Sequence, residues 1–129
     1  MGIGRHAGSS RLGLAMLLLT ALLAACGGTA APSGTPVVGD LDITAKDLKF
    51  DQQQIQVPAN RPFTIAFRDG ESTPHNVSIY TDASASNKVF VGSIVSSSDI
   101  VYRVPALKPG TYFFRCDLHP AMSGSLVAR

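Results

Sequence analysis

Beyond residue 40, the chain consists of short runs in which apolar and polar residues alternate. Phe63, Ile65 and Phe67 alternate with polar or small residues and stop at the turn dipeptide Asp69-Gly70. Because successive side chains of a strand point to opposite faces, this period predicts strands that are buried on one side. The alternating runs lie at residues 41–45, 48–50, 55–57, 63–67, 77–79, 89–95, 100–104, 112–116 and 123–128.

Turn signals separate these runs roughly every ten residues, and no segment beyond residue 40 carries a convincing helical period. Residues 81–88 are small and polar, so we predict a loop or a short helix there. An all-β chain of this kind is typical of a Greek-key β-sandwich of seven to eight strands. A parallel βαβ architecture is excluded because it needs helices between its strands.

The first 25 residues differ from the rest of the chain. Two arginines precede an uncharged apolar run that is short for crossing a bilayer, which predicts a secretory signal peptide over residues 1–25. The stretch Leu-Ala-Ala-Cys that ends this segment resembles the bacterial lipobox, and the resemblance implies that Cys26 is acylated and begins the mature protein. The alternative is an ordinary signal peptide that leaves Cys26 as a free thiol.

A low-complexity stretch follows the signal peptide. Residues 26–39 are small, uncharged and interrupted by Gly and Pro, so they cannot bury enough apolar area to fold by themselves. We expect this stretch to be a flexible tether that joins Cys26 to one folded domain, residues 40–129. Export and lipid attachment would place the domain on a bacterial membrane, facing the periplasm or the cell exterior.

The charge of the chain argues against nucleic acid as a partner. The sequence has 11 basic and 9 acidic residues, and two of the basic ones, Arg5 and Arg11, belong to the signal peptide. The mature chain is therefore formally neutral, has no basic stripe that could follow phosphates, and contains no Trp.

Four residues supply every thiol, imidazole and thioether of the predicted domain: His75, Cys116, His119 and Met122. The last three are spaced three residues apart, directly after one predicted strand and before the last one, so a single turn can present all of them. His75 lies 41 residues upstream and would close the site from across the sandwich. Taken singly, each residue is more typical of a packed core or a turn, and only the combination indicates a site.

The chemistry of this set favours copper. A thiolate and two imidazoles with a weak thioether form the trigonal site of electron-transfer copper, whereas structural zinc sites prefer more thiolates. We therefore predict one copper ion that alternates between Cu(II) and Cu(I). Four protein ligands leave no open position for water or a substrate, so we do not expect an enzyme.

The ligand region resembles that of the cupredoxins, the small blue copper proteins. Residues 109–127, which read PGTYFFRCDLHPAMSGSLV, are similar to the C-terminal ligand loop of that family with its flanking strands, and the short spacing is of the amicyanin type. The resemblance covers residues 41–129. It implies that His75, Cys116 and His119 bind copper strongly and that Met122 binds it weakly. A binuclear centre would need a second Cys in the loop, where this chain has Asp117 and Leu118.

The resemblance also implies roles for residues beside the ligands. Asn76, which follows His75, is expected to join the two ligand loops by hydrogen bonds and to polarise the Cys116 region; the alternative is that it only fits a turn. Leu118, Pro120 and Ala121 are apolar or small, and we expect them to surround His119 with an exposed patch through which electrons pass. The alternative is that Leu118 is buried and that partners dock elsewhere.

These features predict a monomeric one-electron carrier that works between redox protein partners outside the cytoplasm and is tethered to a membrane by its lipid. Copper trafficking or storage by the same fold is one alternative, although the chain has no clusters of Met or His. A metal-free surface lipoprotein is the other.

Overall fold

The computed structural model describes residues 39–129. The predicted signal peptide, Cys26 and the tether up to residue 38 lie outside the described residues. Within residues 39–129 the chain forms nine strands, and none of its segments is a helix long and apolar enough to cross a membrane. The strands are β1 (Leu41–Lys46), β2 (Lys49–Phe50), β3 (Gln54–Val57), β4 (Phe63–Asp69), β5 (Ser78–Tyr80), β6 (Lys88–Val91), β7 (Asp99–Val104), β8 (Gly110–Arg115) and β9 (Ser123–Ala128).

The strands form two sheets. The first has the order β2-β1-β4-β7, and the second has the order β3-β9-β8-β5-β6. Both sheets are mixed, because β1 pairs with β4 and β3 with β9 in parallel, while the other pairs are antiparallel. The predicted all-β sandwich is confirmed. The described residues form nine strands, and the prediction was seven to eight. The observed count includes β2, which has only two residues.

The core lies between the two sheets and follows the alternation seen in the sequence. Phe50 from the first sheet and Phe114 from the second meet across it with ring centroids 5.5 Å apart. Such an aromatic pair stabilises the fold by about 0.5–1.5 kcal/mol beyond the burial of its area. Buried apolar positions on the strands include Ile43, Ile55, Val57, Phe63, Ile65, Phe67, Ile79, Val104 and Leu126.

Residues 81–87 form a loop, one of the two outcomes predicted for this segment, in which the Asp82 carboxylate accepts a hydrogen bond from the Ser84 amide. The predicted strand over residues 89–95 ends early, at Val91. The reason is a close approach at Gly92, whose amide donates to the carbonyl of Val77. A Cβ at this glycine would lie 2.5 Å from that carbonyl oxygen, so only Gly fits.

The strand directions put both ligand loops at one end of the sandwich. β4 leads toward His75, and β8 ends at Arg115, immediately before Cys116. β1 runs parallel to β4, so the first residues of β1 lie at the other end, where the Asp40 carboxylate binds the start of β4. The chain therefore enters the domain at the end opposite to the candidate ligands.

Candidate metal centre

The loop after β8 closes on itself through two backbone hydrogen bonds. The Cys116 amide donates to the Met122 carbonyl at 2.9 Å, and the Met122 amide donates to the His119 carbonyl at 2.8 Å. β8 and β9 continue the pairing directly, since Arg115 lies opposite Ser123. A tight turn between two paired strands thus brings the three residues of this loop together, as their spacing predicts.

His75 reaches the same place from the loop after β4. It forms an isolated antiparallel bridge with Val95, in which each amide donates to the carbonyl of the other residue at 2.9 and 3.0 Å. Its side chain is fully buried. The backbone bridge fixes the position of the imidazole without help from a regular strand.

The structure brings three of the predicted ligands together. The Cys116 sulfur lies 3.8 Å from Nδ1 of His75 and 3.7 Å from Nδ1 of His119. All three ligand atoms lie within 4.8 Å of one another. Such distances suit one ion with metal–ligand bonds of about 2.0–2.3 Å. Among the described residues, Cys116 is the only free thiol, and it is fully buried.

Met122 lies beside these residues. Its side chain is 2% exposed, and its backbone is hydrogen-bonded to both Cys116 and His119. The thioether is a soft donor that suits copper and adds little to a zinc site. If the thioether completes the set, two imidazoles, a thiolate and this soft donor would fit copper better than zinc.

Glu71 supports the site from outside, and the sequence analysis missed it. Its Oε1 lies 2.8 Å from Nε2 of His75, the ring nitrogen that faces away from Cys116. The Leu48 amide also donates to this oxygen, and together with the imidazole it holds the pKa of Glu71 below its usual value. A carboxylate on the distal nitrogen of a ligand fixes the orientation of the ring and its tautomer.

The turn that binds Glu71 is strained. Asp47 and Leu48 have φ angles of 53° and 56°, in the left-handed region that side chains rarely adopt. The Leu48 amide points at the carboxylate in this conformation, and the Leu48 side chain is 52% exposed. Backbone strain of this kind costs on the order of 1–3 kcal/mol and persists where the surroundings hold it. The only feature of the sequence that could have indicated this contact is the position of Glu71, an acidic residue four positions before His75.

Asn76 lies where the resemblance requires it. Its Oδ1 accepts a hydrogen bond from the Asp117 amide at 2.9 Å, and its amide group donates to the Gly92 carbonyl at 3.0 Å. Both ligand loops and the β6–β7 connection thus meet at one buried side chain. Its amide group also donates to Ser78 and to the Asp117 carboxylate.

Asp117 is a second polar residue that the sequence analysis did not recognise. Ser78 and Tyr80 both donate to its carboxylate. Burial raises the pKa of Asp117, but the hydrogen bonds from Ser78 and then Tyr80 outweigh it, and the pKa is lowered from its usual value. No sequence pattern predicts these contacts, because they depend on β5 lying beside β8.

The predicted electron port is exposed. Leu118 is 46% exposed, Pro120 and Ala121 are also exposed, and His119 is half-buried. The structure therefore excludes the alternative in which Leu118 packs into the core. The two ligand imidazoles differ, since His75 is enclosed and His119 lies at the surface of the loop, with ring centroids 4.9 Å apart.

Comparison with known proteins identifies the family. A family model described as a cupredoxin-like domain matches residues 14–128. The chain belongs to the cupredoxin-like family. It is 31% identical over 114 residues to amicyanin-alpha of Methylorubrum extorquens, an alignment that covers 88% of this chain and 91% of that protein.

Solved structures support the same fold. An auracyanin from Roseiflexus castenholzii superimposes with a TM-score of 0.62 at 18% identity, covering 69% of this chain and 95% of that one. Auracyanin A of Chloroflexus aurantiacus, described as a "blue" copper protein, gives a TM-score of 0.59 at 20% identity, covering 68% and 96%. These likenesses show the fold, and the family model together with the amicyanin relative shows the family.

We expect Glu71→Ala to weaken the affinity for Cu(II) about 10- to 100-fold, because His75 loses the partner that orients its ring. Competitive titration against a chelator of known affinity measures the change. Glu71→Gln keeps an acceptor and should recover most of the affinity. Asp42→Ala removes an exposed carboxylate that pairs with Arg68 on the first sheet, and it should leave the affinity unchanged. Equal affinities of the wild type and Glu71→Ala would contradict a role for Glu71.

Proposed function

We propose that the domain carries single electrons between protein partners outside the cytoplasm, through one copper ion bound by His75, Cys116, His119 and Met122. The observation that supports this most directly is the convergence of one thiol and two imidazole nitrogens within 4.8 Å, from two loops far apart in sequence. Amicyanin-alpha and the auracyanins supply the analogy for the use of such a site.

Copper bound by these residues would supply the redox chemistry, by exchanging one electron between Cu(II) and Cu(I). A ligand set that suits both oxidation states would need little rearrangement during electron transfer. Backbone bonds fix the loop that carries Cys116, while Glu71 and Asn76 fix His75 and its connection to that loop. Burial of Cys116 and His75 keeps water away from both.

Electrons enter and leave at the exposed edge of His119. Leu118, Pro120 and Ala121 form the apolar patch around this imidazole, and each is exposed. A small apolar patch suits brief encounters, because weak redox complexes bury little area and separate quickly. The same patch on two copies of the domain allows self-exchange, without requiring a stable dimer; we propose that the protein is a monomer.

A lipid on Cys26 would keep the carrier at a membrane. The proposal is supported by the lipobox resemblance and by the low-complexity tether that follows. Stable retention needs more than one acyl chain, because a single myristoyl-sized chain binds membranes with only about 10⁴ M⁻¹. We expect fatty-acid labelling of the expressed chain, and none of Cys26→Ser, which should still bind copper. An unlabelled wild-type protein would refute the anchor.

Ligand variants of the copper-loaded domain test the site. Cys116→Ser should lose the intense visible absorption, because that band is charge transfer from thiolate sulfur to copper. Met122→Leu should keep a coloured site with a raised reduction potential, since loss of a weak axial donor disfavours Cu(II) more than Cu(I). Absorption spectra and voltammetry measure both effects.

The outcomes separate the possible assignments. A wild-type domain that stays colourless with Cu(II) would favour the metal-free alternative. A Met122→Leu protein that holds copper but has lost its colour would contradict the axial assignment of Met122.

Charge added at the patch tests the port. Leu118→Arg and Ala121→Lys should leave the visible spectrum unchanged and slow electron self-exchange about tenfold or more, because like charges then face each other. NMR line broadening measures the exchange rate. Thr111→Arg adds the same charge at the other end of β8 and should leave the rate nearly unaltered. Unchanged rates in both patch variants, with intact spectra, would move the port away from His119.

A further inference from the structure

The residue directly after the predicted thiolate ligand is acidic and enclosed by donors. Ser78 Oγ donates to Oδ2 of Asp117 at 2.6 Å, and Asn76 donates to the same oxygen at 3.2 Å. The Tyr80 hydroxyl donates to Oδ1, and Nε of Arg115 lies 3.7 Å from it. Both carboxylate oxygens thus face hydrogen-bond donors. The Asp117 side chain remains only 25% exposed.

The groups that surround the carboxylate are themselves unusual for their position. Ser78 and Tyr80 alternate with Ile79 on β5 and so point to the outer face of the sheet, yet both are fully buried. The Arg115 guanidinium covers the Tyr80 ring at 5.0 Å. Buried hydroxyl groups need hydrogen-bond partners, and Asp117 is the acceptor that both of them share.

This arrangement favours an ionised carboxylate. The Asn76 amide group faces Oδ2 and Nε of Arg115 faces Oδ1, and because both groups can only donate, a charge on Asp117 suits them and a proton does not. Asp117 also connects to Asn76 twice, because its own amide donates to Oδ1 of Asn76 while its carboxylate accepts from the Asn76 amide group. The hydrogen bonds between Asp117 and Asn76 therefore both join the two ligand loops and fix the position of the Asp117 carboxylate.

We propose that Asp117 is a positioning residue that fixes a negative charge beside Cys116 and thereby lowers the reduction potential of the copper site. The inference rests on the proposed copper function. The oxidised site carries one more positive charge than the reduced site, so a nearby carboxylate stabilises Cu(II) relative to Cu(I). The donors set how much of that charge reaches the metal: each hydrogen bond to the carboxylate offsets part of it.

Two substitutions should shift the potential in opposite directions. Asp117→Asn removes the charge and keeps a similar shape, so the Cu(I):Cu(II) ratio at a fixed applied potential should rise about tenfold, or about 59 mV for one electron. Tyr80→Phe removes one donor and leaves the carboxylate less compensated, so the ratio should fall about threefold. If the substitutions acted only by loosening the loop, both would shift the Cu(I):Cu(II) ratio in the same direction.

The double variant and a control complete the experiment on the copper-loaded domain at neutral pH. In the Asp117→Asn background, Tyr80→Phe should have little effect, because the charge that its hydroxyl compensates is gone. Asp42→Asn removes an exposed carboxylate that pairs with Arg68 and should leave the potential unchanged. Voltammetry gives the potentials, and the thiolate absorption band reports whether the site is intact.

Each result decides between the proposals. Coloured Asp117→Asn protein with less than a twofold change in the ratio would overturn the role of Asp117 and leave the copper function standing. Shifts of the same sign in Asp117→Asn and Tyr80→Phe would assign the effect to packing and also overturn it. A wild-type domain that does not bind copper would refute the proposed function itself. If Asp117→Asn fails to fold, the fall expected for Tyr80→Phe still tests the inference.

Discussion

The hydrogen bonds between Asn76 and Asp117 hold together two segments that are 41 residues apart in sequence. His75 and Cys116 are the immediate neighbours of these two residues, so the contact sets how far the imidazole lies from the thiol. Backbone strands alone do not achieve this, because His75 lies between strands and has only a single bridge, to Val95. The geometry of the site thus depends on one buried amide side chain.

A close approach between two backbone segments supports this contact. Because Gly92 has no side chain, the β6–β7 connection lies close to Val77, and the Gly92 carbonyl accepts a hydrogen bond from Asn76. The strained turn at Asp47 and Leu48 acts in the same way on the other side, because it directs an amide at Glu71. A close backbone approach and a strained turn thus both position groups that contact the candidate ligand loops, while similar features elsewhere, at Gly39 and Asn60, have no contact with the site.

Alternation was sufficient to predict the β-sandwich, and the spacing of Cys116, His119 and Met122 was sufficient to predict that one turn presents all three, because both are local properties of the sequence. The roles of Glu71, Ser78 and Tyr80 were not predictable in this way. Each depends on which strands pair, and Tyr80 in particular would be expected to point to solvent on the outer face of β5. The early end of β6 likewise follows from the contact of Gly92 with Val77, the residue before β5, which no local pattern predicts.

The direction of β1 has a practical consequence. Because the chain enters at the end remote from Cys116 and His119, and the Arg129 carbonyl accepts from Ala59 near that same end, both termini of the domain lie away from the ligand loops. A fusion partner, affinity handle or electrode linker can therefore be joined upstream of residue 39 or after residue 129 without covering the imidazole edge. The fold thus keeps both ends of the described residues and the candidate ligand loops at opposite ends of the sandwich.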